Sequence, residues 1–169
     1  MDVESKNRLE KLKKKNKVRY AKEQLIRDLK SRYGIDFLDK LFVDYELSNE
    51  LHIKTYKKIR TEAIKSLRFY YELDKLKETI EWIFLKNKNH ENENILFYPA
   101  TFKYYFNISH QLYLDYPLAI ELQVLECKDI VLKLMTDMHD DIVIISENLG
   151  YGFVLSEDEY SYVTVEYWG

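Results

Sequence analysis

Cysteine occurs once in these 169 residues, glycine four times and proline twice. The single cysteine, Cys127, cannot form an internal disulfide and suits a reducing compartment. Four glycines are too few for a phosphate-cradling loop, a dinucleotide fingerprint or a nucleophile elbow, and no such motif is present. Long apolar runs are missing as well. The longest, such as 82–85 and 142–145, are four residues, where a membrane-spanning helix needs about 20. The opening Met1-Asp2-Val3-Glu4-Ser5-Lys6 lacks the apolar core of a secretory signal, so a cytoplasmic location is expected. Lys and Arg are absent after Lys133, whereas eight carboxylates follow it.

That last absence belongs to a wider pattern. Residues 1–88 hold 23 Lys/Arg against 15 Asp/Glu, a net of +8, and residues 89–169 hold 3 against 14, a net of −11. The overall charge of −3 therefore conceals a strong dipole, and an acidic half attracts basic partners whatever the total. A hydrophobic content of 46% with 33% charged residues reads as one globular domain over 1–169 with a real core. Fifteen Tyr and eight Phe are many for this length, and Tyr is a favoured interface residue.

Three parts are distinguished along the chain: a basic helical arm (1–32), a helical part (33–88) and an acidic, sheet-rich part (89–169). The arm reads as one charged helix from Val3 to Arg32, loosely attached at its start and stopped by Gly34. Asp36 is expected to cap a short helix with Leu38, Leu41, Phe42 and Tyr45 on one face. Ser48 or Asn49 then caps a longer helical pattern: Leu51, Tyr56, Ile59, Ala63, Leu67 and Tyr70, continuing through Leu73, Leu76, Ile80 and Ile83. Whether 49–87 is one helix or two, broken near 71–74, stays open. A polar, Asn-rich linker (86–94) follows. Beyond it lie short strands at 95–98 and 119–126, a helix at 129–138, and three strands at 141–146, 151–156 and 161–168. Short connections make the last three an antiparallel meander. The fold class is α+β: N-terminal helices, then a mainly antiparallel sheet with one inserted helix.

Metal and catalytic chemistry have few candidates. Asp137-Met138-His139-Asp140-Asp141 crowds ligand types together, and His90 lies near Glu91 and Glu93. An Asp-rich connection is more often simply solvated, and metal sites draw ligands from several elements. His52, read on the exposed side of a charged helix, and His110, in an aromatic loop, show no carboxylate or cysteine partner. Cys127 reads as a small buried hydrophobe. No enzyme, metal or cofactor is expected.

Two binding surfaces are expected instead. Lys11, Lys13, Lys14, Lys15, Lys17 and Arg19 could neutralise phosphates in a salt-dependent way, although few aromatic or amide groups are interleaved with them. A membrane-surface role would need an apolar face opposite these charges, and none is present. In the acidic half, Glu157, Asp158, Glu159, Tyr160, Tyr162 and Trp168 cluster on a hairpin and its edge. Asp137, Asp140 and Asp141 are expected to enter the sheet from its other end. Tyr packs well on any pleated surface, and charged turns protect sheet edges. Neither role, however, requires the complete loss of Lys and Arg after Lys133, which suggests an acidic face kept for a basic partner.

The segment Asp141-Ile142-Val143-Ile144-Ile145-Ser146-Glu147-Asn148-Leu149-Gly150-Tyr151-Gly152-Phe153-Val154-Leu155, closing on Tyr167-Trp168-Gly169, resembles small Firmicutes immunity proteins of polymorphic toxin systems over about residues 118–169. The resemblance implies a cytosolic, non-enzymatic protein that binds one cognate toxin domain stoichiometrically and blocks it. Many such toxin domains are basic nucleases, and an acidic immunity face covers their nucleic-acid site. The partner-binding residues would then be Asp137, Asp140, Asp141, Glu157, Asp158, Glu159, Tyr160, Tyr162 and Trp168. A nucleic-acid-associated protein using the basic helix is the alternative. A homodimer, with one chain's basic arm on the other's acidic face, also fits the charge pattern.

Overall fold

The computed structural model describes residues 3–99, 112–137 and 141–169. Helix α1 (Val3–Tyr33) leads to α2 (Tyr45–Thr61), strand β1 (Lys65–Tyr70) and α3 (Leu73–Lys86). A 3-10 turn (Lys88–His90), β2 (Asn94–Tyr98), the single-turn α4 (Leu112–Asp115), β3 (Ile120–Gln123) and α5 (Val124–Asp137) follow. The chain ends in β4 (Ile142–Ile145), β5 (Gly152–Glu157) and β6 (Tyr162–Trp168). All six strands form one antiparallel sheet in the order β1-β6-β5-β4-β2-β3. The α+β class and the β4–β5–β6 meander stand as expected.

Local chemistry explains where the elements stop. Gly34, at φ +64°, lets the backbone turn left-handed, and its N–H and that of Ile35 close onto the carbonyls of Lys30 and Leu29, ending α1. Helix α2 is capped by Asp44, whose carboxylate accepts from Glu46 N–H at 2.9 Å. The expected cap Ser48 instead lies inside α2 and is buried; its hydroxyl accepts from Ala119 N–H and its carbonyl from the Tyr98 hydroxyl, which pins the helix to the sheet. Asp36 caps only a turn, accepting from Leu38 N–H, so the short helix expected there does not form. Residues 41–43 run beside β3 instead, with hydrogen bonds from Glu121 N–H to the Leu41 carbonyl and from Val43 N–H to the Ala119 carbonyl.

The helical pattern expected through residues 63–70 is also replaced. Leu67 and Phe69 alternate with Ser66, Arg68 and Tyr70, a period-two pattern. Across from β1, strand β6 sets Val165 opposite Leu67 and Val163 opposite Phe69. Pairing with a strand almost 100 residues later outweighs the local helical spacing.

The sheet has two unlike faces. Its first carries Phe97, Ile120, Ile142, Ile144, Phe153, Leu155, Val163 and Val165, and is covered by α3, α5 and the second half of α1 through Ala21, Leu25 and Leu29. Cys127 lies in this core, where burial pushes its thiol up to about 12. The second face carries Leu96, Tyr98, Val143, Ile145 and Val154; among the described residues α2 packs on it through Leu51, Leu47, Tyr56 and Ile59, with Val43 and Leu149 beside them. Residues 4–17 of α1 are exposed, consistent with an arm loosely attached at its start.

Candidate partner-binding surface

Helix α2 packs on β2, β4 and Val154 of β5, and no described helix covers the same face of β1 and β6 towards the β5–β6 turn. Strand parity places Arg68 and Tyr70 of β1, Ser156 of β5, and Tyr162, Thr164 and Glu166 of β6 on this open face. Tyr70 and Tyr162 sit opposite one another with rings 5.6 Å apart, edge to face, and are 57% and 40% exposed. The Arg68 guanidinium lies 4.7 Å from the Tyr162 ring and 2.7 Å from the Asp158 carboxylate. The sequence leaves open whether Tyr162 or Val163 meets solvent; Val163 is fully buried.

The acidic residues divide by role. Asp158 builds the turn: its Oδ1 accepts from Tyr160 N–H and Tyr162 N–H, both at 2.9 Å. Those backbone bonds, with a smaller contribution from Arg68, hold its carboxyl below the usual range. Glu159 and Tyr160 are exposed at the tip of the turn. Glu157 points to the first face and is buried, so it offers no free charge to a partner. Asp141 precedes β4, whose first residue Ile142 pairs with Leu155, placing Asp141 at the same end of the sheet as the 157–161 turn. The expectation that Asp141 enters from the opposite end is thereby corrected, because an antiparallel neighbour starts where the other stops.

Asp141 accepts from the Tyr56 hydroxyl at 3.3 Å. Burial raises its carboxyl to about 6, and the charge of Glu166 pushes in the same direction. Burial raises Glu166 as well. The open face thus holds two carboxylates that resist ionising together, a setting in which an incoming cation is favoured. Trp168, six residues beyond Tyr162 on β6, lies about 20 Å from it along the strand. Its indole N–H is bonded to the Leu149 carbonyl and Lys58 lies 5.9 Å from its ring, so it does not join the tyrosine pair. Asp137 is the last residue of α5; its side chain and the whole of Asp140 and His139 lie outside the described residues.

Two other places were candidates for chemistry. At the opposite end of the sheet, an open cleft of about 810 Å³ is lined by His90, Glu93, Ser146, Asn148 and Tyr151, among others. His90 stacks on Tyr151 at 4.0 Å, and its Nδ1 is 2.9 Å from Glu93. Ser146 is committed to the β4–β5 hairpin: its hydroxyl accepts from Tyr151 N–H at 3.1 Å and is 2.9 Å from Asn148 Oδ1. No three metal-ligating side chains gather among the described residues. His52, expected on an exposed side, is instead packed between Tyr56 and Tyr98, with burial lowering it to about 4.

The basic helix contributes Lys11, Lys14, Lys15, Arg19 and Lys22 to a groove of about 640 Å³. Its other wall holds Phe42 and Tyr45, aromatic neighbours that the linear order hides. Lys14 lies 4.9 Å from the Tyr45 ring and 2.8 Å from Glu46, and Lys22 lies 4.4 Å from the Phe42 ring. Lys13 and Lys17 are exposed on the helix but do not line the groove. Among the described residues no helix is long and apolar enough to cross a membrane. Compared with family models, curated proteins and solved structures, the chain matches none of them.

Proposed function

We propose that this chain is a non-enzymatic immunity protein that binds a cognate toxin domain, a basic nuclease, and blocks it. The seat of binding is the open sheet face at the β5–β6 turn. One observation carries the reading: two exposed, mutually packed tyrosines, Tyr70 and Tyr162, share a sheet face with two half-buried carboxylates, Glu166 and Asp141, the second reached by Tyr56 of α2. Tyrosines supply contact area at small entropic cost, and carboxylates select a basic partner and speed its approach. The resemblance of residues 118–169 to immunity proteins points the same way. Capture from the source bacterium with the wild-type protein and with the Tyr70→Ala/Tyr162→Ala variant tests it. A basic polypeptide held one-to-one by the wild type, released by the variant, and inhibited at equimolar protein is the supporting result. Equal capture by the variant removes this face from the reading.

The aromatic wall facing the basic helix supports a second reading, a nucleic-acid-associated protein. A single-stranded RNA oligonucleotide would then bind with an affinity that falls steeply with salt and is lost in the Lys11→Glu/Lys15→Glu/Arg19→Glu variant. Weak binding unaffected by that variant counts against it.

A further inference from the structure

We infer that the β1 edge is a self-association surface, through which two copies join their sheets across a two-fold axis at Leu67. This stands apart from the toxin-binding reading. The two edges of the sheet differ: at β3 the segment 41–43 covers the edge, whereas β1 pairs only with β6 among the described residues. Five of the six β1 residues are exposed and Phe69 is half-buried. The N–H of Tyr71 bonds to the Ser161 carbonyl, which fixes the direction of alternate backbone groups. Leu67 and Phe69 therefore bond towards β6, and the N–H and C=O groups of Ser66, Arg68 and Tyr70 point outward. A row of unpaired groups of this kind is a template for another strand.

The sequence of β1 selects the occupant and the register. A two-fold perpendicular to the sheet is the symmetry that extends it antiparallel with both pleats continuous, and it passes through a residue. Centred on Leu67, it sets Leu67 opposite its own copy, Lys65 opposite Phe69, and Ser66 opposite Arg68, so that Ser66 and Arg68 exchange backbone hydrogen bonds. No like charges face one another. Centred on Arg68, it would set two guanidinium groups opposite, which is destabilising. Charge is also matched within each edge, since Arg68 is already held by Asp158 at 2.7 Å. The remaining cation, Lys65, would approach the partner copy's β1–α3 groove, where Glu78 is already paired with Lys75 at 3.8 Å beside Leu67, Phe69 and Trp82, so the match there is one of apolar surface and not of charge. Leu67 and Trp82 are 40% and 38% exposed, and the joined sheet would cover the apolar strip they form.

Cysteine placement tests both association and register, and Cys127 is fully buried and does not interfere. In the Leu67→Cys variant the two thiols face each other across a non-hydrogen-bonded pair, within disulfide reach. In the Ser66→Cys variant they lie two residues out of register, beyond the roughly 7 Å that a disulfide spans. Mild oxidation is expected to yield a covalent dimer from the first and not from the second. Sedimentation of the unmodified protein should show reversible dimerisation, weakened about tenfold or more by Leu67→Lys. A monomer at every concentration, or equal crosslinking of both cysteine variants, overturns the inference.

Discussion

The Tyr56 hydroxyl of α2 donates to Asp141 Oδ2 at 3.3 Å, joining the helix that covers part of the sheet face to the carboxylate that precedes β4. The bond favours the ionised carboxylate, yet burial outweighs it and leaves the group near 6. The same helix holds His52 neutral, lowered to about 4. The candidate surface is thus coupled to the pH dependence of the fold.

Asp141 binds its proton more tightly folded than unfolded, so its contribution to stability is greatest at low pH and falls as pH rises towards about 6. His52 binds its proton less tightly folded, so its contribution is present above about 6.5 and is lost as pH falls towards about 4. In the wild type the two oppose each other over nearly the same window. Asp141→Asn should therefore expose the His52 slope. The variant is expected to be more stable than wild type at pH 7, by about 2 kcal/mol at most, and to lose stability more steeply on acidification. Urea unfolding from pH 4 to 7 measures both effects.

Removing the tyrosine pair should weaken partner binding without unfolding the chain. Tyr70→Ala and Tyr162→Ala each truncate an exposed ring, so the expected stability loss is about 1 kcal/mol or less. Each should lower partner affinity by about 2 kcal/mol if the pair anchors binding. Because the rings touch, the losses should not add, and a double-mutant cycle by calorimetry would read the coupling.

Asp158→Ala should loosen the β5–β6 turn. It removes acceptors for two backbone N–H groups and leaves Arg68 without its carboxylate. The expected cost is about 1–2 kcal/mol, with faster amide exchange at Tyr160 and Tyr162. Reversing Glu159, which lies exposed beside it, should leave stability nearly unchanged while slowing association with a basic partner.

Gly152→Ala should be costly for a steric reason. A β-carbon there would lie 2.7 Å from the Trp168 ring and 2.8 Å from the Ile144 carbonyl oxygen. Backbone on one side and a hydrogen-bonded indole on the other leave little room to adjust, so a loss of about 1–3 kcal/mol is expected by chemical denaturation.

Much of this architecture is legible locally. Gly34 marks the end of α1, and the β-branched run at 142–145, the turn at 148–150 and the alternation at 162–168 mark the meander. Strand β1 is hidden because Ala63, Leu67 and Tyr70 also repeat at helical spacing, and only the distant β6 decides between the two patterns. The candidate site is hidden for the same reason: helical spacing across 63–70 gives no sign that Arg68 and Tyr70 lie beside Tyr162. Carboxylate counting fails differently. Glu157 and Glu159 are equivalent in composition, but strand parity buries the first and the turn exposes the second. Phe42, in the irregular segment beside β3, and Tyr45, the first residue of α2, face the basic helix, a placement that their helical spacing in the sequence does not disclose.

The most direct test of binding through this sheet face is calorimetric titration of the captured partner into wild-type protein and into the Tyr70→Ala/Tyr162→Ala variant, both confirmed folded. The expected result is one-to-one binding by the wild type and an affinity lower by about a hundredfold or more in the variant. Equal affinity for the two proteins would contradict the assignment of this face.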